Sequence, residues 1–141
     1  DTLATQVIAL IDDPRFKALF APASRAEVSI AGRLPRLDRP PALVSGQIDR
    51  LVVTPAEILI VDYKTNHAPP KTAGAAPRDY VRQLALYRQV LANLYPGRAV
   101  RCFLLWTEHP EMMEILAPAL DAELARHHVI VTSLDPATGH S

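Results

Sequence analysis

The sequence predicts an α/β domain, a mixed four-stranded sheet flanked by helices, and three features carry that reading. Two runs rich in β-branched and apolar residues, 43–53 and 58–65, are separated by "TPAE", where Pro55 suits the second position of a turn; they read as a hairpin. Residues 79–95 carry Tyr80, Leu84, Tyr87, Leu91 and Leu94 at steps of four and three, a helical stripe ended by "PG". The continuous apolar run at 99–106, "AVRCFLLW", has the length and character of a buried strand.

The other elements follow in chain order. Residues 2–11 place Leu3, Val7, Ile8 and Ile11 at helical spacing, and 14–20 reads as a second short helix with Pro14 in its first turn. "EVSI" (27–30) reads as the first strand, and the Pro- and Arg-rich "RLPRLDRPP" (33–41) as a loop. Residues 66–77, "NHAPPKTAGAAP", have no periodicity and should form an exposed loop. Beyond the last strand, 116–128 suits a helix, "VIVTSL" (129–134) a short strand, and 135–141 a frayed end.

Composition bounds the function. A chain of 141 residues with 49% hydrophobic content can bury one domain's core without disulfides or metals. The single cysteine, Cys102, excludes an intrachain disulfide and, within an apolar run, reads as a buried thiol. No apolar run reaches the roughly 20 residues of a membrane span, and no leader pattern opens the chain, so a soluble, intracellular protein is expected. The chain begins without Met inside a helical pattern, as though part of something longer. It reads as a single domain over 1–141, with 1–22 a helical lead-in and 107–141 a C-terminal extension. Zero formal charge argues against strong free-standing affinity for nucleic acid, although residues 64–101 are basic and the region from 107 is acidic. The absence of a phosphate-cradling loop or a CxxC pair leaves no ATP site and no iron–sulfur cluster in the sequence.

The chemistry concentrates on the hairpin. In "IVDYKT", Asp62 and Lys64 are two residues apart and so share the strand face that Ile58 and Ile60 make apolar. With Pro55 and Ala56 at the turn centre, counting outward sets Asp49 of "GQIDR" opposite Asp62. Carboxylates so opposed, with Cβ atoms about 4.5–5.5 Å apart, repel unless a cation neutralises them. A hard divalent metal would do so, and an adjacent lysine suits phosphodiester hydrolysis by holding the attacking water or the developing charge. An isolated D-x-K, by contrast, is more often a structural ion pair.

Taken together, "GQIDRLVV", "ILIVDYKTN" and "YVRQLALYRQVL" resemble the PD-(D/E)xK nuclease superfamily, in particular the RecB-like nuclease domain of AddA-type helicase-nuclease subunits, over about residues 27–106. The resemblance implies a restriction-endonuclease-like fold and a Mg²⁺-dependent (or Mn²⁺-dependent) DNA nuclease acting in double-strand break repair. It implies Asp49, Asp62 and Lys64 as catalytic residues, with Asp49, Asp62 and the Tyr63 carbonyl as metal ligands. Gln83 and Tyr87, at i and i+4 on one helix face, would meet the DNA, with Arg82 beside them. Implied partners are single-stranded DNA supplied by a helicase and an AddB-type subunit, in a bacterial cytoplasm.

The chain departs from the family in one respect. RecB-like members carry a histidine on a helix upstream of the first strand, and here none precedes His67, so the residue lies before Asp1 or is missing. A catalytically weak nuclease fold used for subunit docking and DNA guidance is therefore the alternative, and a stand-alone exonuclease or restriction-type enzyme shares the same chemistry. Among minor candidates, Glu27 sits where relatives often have an acid. His67 reads as a turn residue, Arg78 as a phosphate contact or a solvated charge, His127 and His128 as diverging neighbours, and Trp106 as core or interface.

Overall fold

The structure, a computed structural model, describes residues 24–65, 69–108 and 111–131. Strands β1 (Ser24–Arg36), β2 (Arg39–Val53) and β3 (Glu57–Lys64) are followed by helix α1 (Arg78–Leu94), strands β4 (Ala99–Trp106) and β5 (Glu111–Ile115), and helix α2 (Ala117–Arg126). The sheet order is β1-β2-β3-β4-β5, with β3 and β4 parallel and the other pairs antiparallel. The α/β class and the mixed sheet are as expected, with five strands among the described residues instead of four. The expected helices at 2–11 and 14–20, His67, and the tail from 132 lie outside the described residues.

The β2–β3 turn forms where Pro55 places it. Thr54 N donates to Glu57 O at 2.9 Å, and Glu57 N donates to Thr54 Oγ1 at 2.9 Å, so Thr54 closes the turn with backbone and side chain together. The ladder then runs Val53–Ile58, Val52–Leu59, Leu51–Ile60 and Arg50–Val61. Among the described residues, β2 has no strand partner on that edge before Arg50.

The first hairpin differs from expectation. Residues 33–41 are not a loop: β1 and β2 run through them to a tight turn at Leu37 and Asp38, where Asp38 takes φ 55°. The prolines that suggested a loop, Pro35, Pro40 and Pro41, fall where the register slips between Leu34 and Arg36, a bulge that does not require their missing N–H groups. The C-terminal segment backs this tip through a bridge between Arg36 and Val129 and a bond from Ile130 N to Pro35 O at 2.9 Å. Of the expected 129–134 strand, that bridge is what the described residues contain.

Both helices pack on one sheet face, where Leu34, Ile48, Ile58, Ile60, Leu84, Leu104 and Leu124 are at most 1% exposed. Each such burial contributes about 1.5–3 kcal/mol. Val52, Leu59, Val61 and Leu105 form a cluster on the opposite face, which explains why β3 is an unbroken apolar run rather than an alternating one. Cys102 is fully buried, and desolvation pushes its thiol up to about 12, an inert core group as expected; Trp106 is likewise core at 1% exposure. Between the helices, Glu123 is buried. Burial opposes its ionisation, but Arg78 (3.1 Å) and Arg126 (2.8 Å) outweigh that and hold its carboxyl below the usual range. Arg78 is thus an interhelix tie.

Candidate active site

At the C-terminal end of β3 the sheet face toward α1 turns from apolar to charged. Ligand sites in open α/β sheets favour such strand ends. Asp62 and Lys64 follow Ile58 and Ile60 on this face; Lys64 Nζ lies 2.6 Å from Asp62 Oδ2, both side chains 15% exposed. That contact lacks hydrogen-bond geometry, so Asp62 Oδ2 is a buried carboxylate oxygen without a hydrogen-bond partner.

Asp49 reaches the same place by a kink. Ala26 pairs with Arg50 and Val28 with Ile48, leaving Glu27 and Asp49 opposed but outside the ladder, with Glu27 at φ 54°. Ile48 and Leu51 both face the helices although three residues apart, so the alternation slips between them. Kinks of this kind re-aim side chains beside active sites. Here the slip turns Asp49 toward Asp62, within reach of a shared proton, and Asp49 Oδ2 accepts from Tyr63 N at 2.8 Å. Burial first, then Asp62, pushes the Asp49 carboxyl up to about 6, against the opposing effect of the Tyr63 amide and Lys64.

The Tyr63 N–H points to the β2 side, and in an extended strand the carbonyl of the same residue shares that edge. The expected ligand set of Asp49, Asp62 and the Tyr63 carbonyl is therefore brought to one edge, all of it oxygen, which suits a hard divalent cation. A buried carboxylate oxygen that has an ion pair but no hydrogen-bond partner, and two mutually repelling carboxyls, fit such an ion. Among the described residues, no cluster of three or more His, Cys, Asp and Glu side chains forms a metal site, and Glu27 is exposed.

Gln83 and Tyr87 lie on α1 facing this end of the sheet, with Gln83 Nε2 donating to Tyr87 Oη at 3.3 Å. The Tyr87 hydroxyl fills the space a Cβ would take on Gly46, the glycine of "GQIDR", so the two motifs interlock. Arg82, half exposed, pairs with Asp79 at 3.3 Å. Three contributors were not foreseen. Tyr80 lies under Lys64 Nζ, 3.9 Å from its ring centroid. Thr107 N donates to Lys64 O at 3.0 Å, fixing the lysine's backbone to the end of β4. Arg50 Nε donates to Tyr63 Oη at 3.4 Å. Only Tyr80 carried a signal, three residues before Gln83 on one helix face.

The family model of the PD-(D/E)XK nuclease superfamily matches residues 9–135, nearly the whole chain. None of the curated proteins matches it. Among solved structures, one described as the crystal structure of SSO0001 is similar at 14% identity and a TM-score of 0.44, covering 89% of this chain and 64% of that one.

Proposed function

The chain belongs to the PD-(D/E)XK nuclease superfamily, and from that premise we propose that it is a Mg²⁺-dependent DNA nuclease whose reacting centre is Asp49, Asp62 and Lys64. The observation that carries this is the opposition of Asp49 and Asp62 with the Lys64 ammonium 2.6 Å from an otherwise unpartnered Asp62 oxygen.

Asp49, Asp62 and the Tyr63 carbonyl would hold the cation. Bound there, it would polarise the phosphoryl oxygen and lower the pKa of the attacking water. Lys64, steadied by the Tyr80 ring and by Thr107, would hold its ammonium toward the scissile phosphate, donating to the water or to the phosphoryl oxygens on which negative charge builds. Gln83, Tyr87 and Arg82 line the approach and bind the strand. The motif resemblance further supports an AddA-type helicase-nuclease, with this chain as its single nuclease domain. In that setting, a helicase supplies a single strand, an AddB-type subunit is the partner, and the role is break resection.

The test is cleavage of single- and double-stranded DNA by the protein in Mg²⁺ or Mn²⁺, with EDTA as control. Lys64→Ala should lower the rate by about 10²–10³-fold, the usual loss for one preorganised charge stabiliser. Cleavage that survives both Lys64→Ala and Asp62→Asn would contradict the assignment and favour a docking module.

A further inference from the structure

The contact between Lys64 Nζ and Asp62 Oδ2 puts a cation on the very carboxylate that the reading above gives to a divalent ion. The two residues share one face of β3, so the lysine reaches back along its own strand to cover that oxygen. A Mg²⁺ ion sits about 2.0–2.1 Å from an oxygen that binds it. On Oδ2 it would lie within about 5 Å of an ammonium that is 2.6 Å from the same atom. Like charges that close, on side chains only 15% exposed, repel with little screening.

The ammonium has somewhere else to go. Lys64 lines a groove of about 390 Å³ beside α1, together with Tyr80, Arg82, Gln83 and Tyr87. Its backbone is fixed, because Thr107 donates to Lys64 O from both N (3.0 Å) and Oγ1 (3.4 Å). Movement is therefore left to the flexible four-carbon stem of the side chain. The Tyr80 ring lies 3.9 Å from Nζ and also lines the groove, so it can hold the ammonium in either position.

We propose that Lys64 is an internal competitor for the divalent ion: its ammonium holds the Asp62 oxygen until the ion displaces it into the groove. The inference rests on the nuclease reading above and adds an order of events to it. Arrival of the metal releases the lysine toward the side on which the phosphate is expected, so the two charges that phosphodiester hydrolysis needs come into place together. By mass action, the share of molecules in which Lys64 covers Asp62 lowers the apparent metal affinity. The lysine thus opposes metal binding while serving the reaction, and a merely structural ion pair would not separate those two effects.

The experiment measures Mn²⁺ affinity by calorimetry, without DNA, in wild type, Lys64→Met and Lys64→Gln. Both variants should bind about 5- to 150-fold more tightly than wild type, the usual span of coupling between two binding events, although they cleave more slowly. Lys71→Met removes the same charge from an exposed position and should bind as wild type does. Adding Asp62→Asn to Lys64→Met should abolish the gain. In wild type, which needs no variant to fold, saturating Mg²⁺ should raise acetylation of the Lys64 amine several-fold relative to Lys71, read by mass spectrometry. Unchanged or weaker Mn²⁺ binding in the Lys64 variants, a gain that survives Asp62→Asn, or an unchanged acetylation ratio overturns the inference, while wild-type cleavage in Mg²⁺ leaves the nuclease reading standing. Wild type that neither binds Mn²⁺ nor cleaves DNA overturns both.

Discussion

Lys64 Nζ sits 3.9 Å from the centroid of the Tyr80 ring while lying 2.6 Å from Asp62 Oδ2, so the ammonium is held from two sides. The aromatic contact is worth about 0.5–2 kcal/mol. Tyr80→Leu should therefore slow cleavage by about 3- to 30-fold at unchanged Mn²⁺ affinity, and Tyr80→Phe, which keeps the ring, should restore the rate. Equal rates for the two variants would remove Tyr80 from the account.

Gly46 and Tyr87 make a second prediction. A Cβ at position 46 would collide with the Tyr87 hydroxyl. Gly46→Ala should destabilise the fold by about 1–3 kcal/mol, as overpacking does, and displace Tyr87 from the site. Because the hydroxyl is the nearest atom, adding Tyr87→Phe should recover part of the loss. Additive melting shifts in the double-mutant cycle would show that the residues do not interlock.

The hairpin register is where the sequence was most legible, and the kink where it was least. Asp49 faces Asp62 because Pro55 fixes the turn and pairing then follows by counting. The slip at Glu27 and Asp49 leaves no mark in "GQIDR", since a flat strand would accept the same letters. The length of β1 and β2 was hidden by prolines that fall at a bulge, and β5, "EMMEI", has little β-branched content to announce it. Tyr80 looked like one more position of a core stripe; its relation to Lys64 arises only when α1 crosses the end of β3.

Glu27 tests that kink. Its φ of 54° is a left-handed conformation that costs a non-glycine residue about 1–2 kcal/mol. Glu27→Gly should raise stability by about 1 kcal/mol and leave cleavage intact, since the residue is exposed and serves the backbone. Loss of Mn²⁺ binding in that variant would instead make Glu27 a metal ligand.

Glu123 sets a pH limit on the fold. Its folded pKa lies below the ordinary carboxylate value, so its contribution is present above about pH 4.5 and is lost as pH falls through the folded value. Glu123→Gln should cost about 1–2 kcal/mol at neutral pH, the lower part of the range for charged hydrogen bonds because both arginines are more than half exposed. Thermal melts of the variant should then fall less steeply than wild type as the pH drops below the ordinary carboxylate value. Parallel melting curves would contradict this role.

The central claim, that the opposed carboxylates form a divalent metal site, is tested most directly by calorimetric titration of Mn²⁺ into wild type and Asp62→Asn under identical conditions. A saturable heat in wild type that disappears in the variant is the predicted result. Equal heats in the two proteins, or none in either, would contradict it.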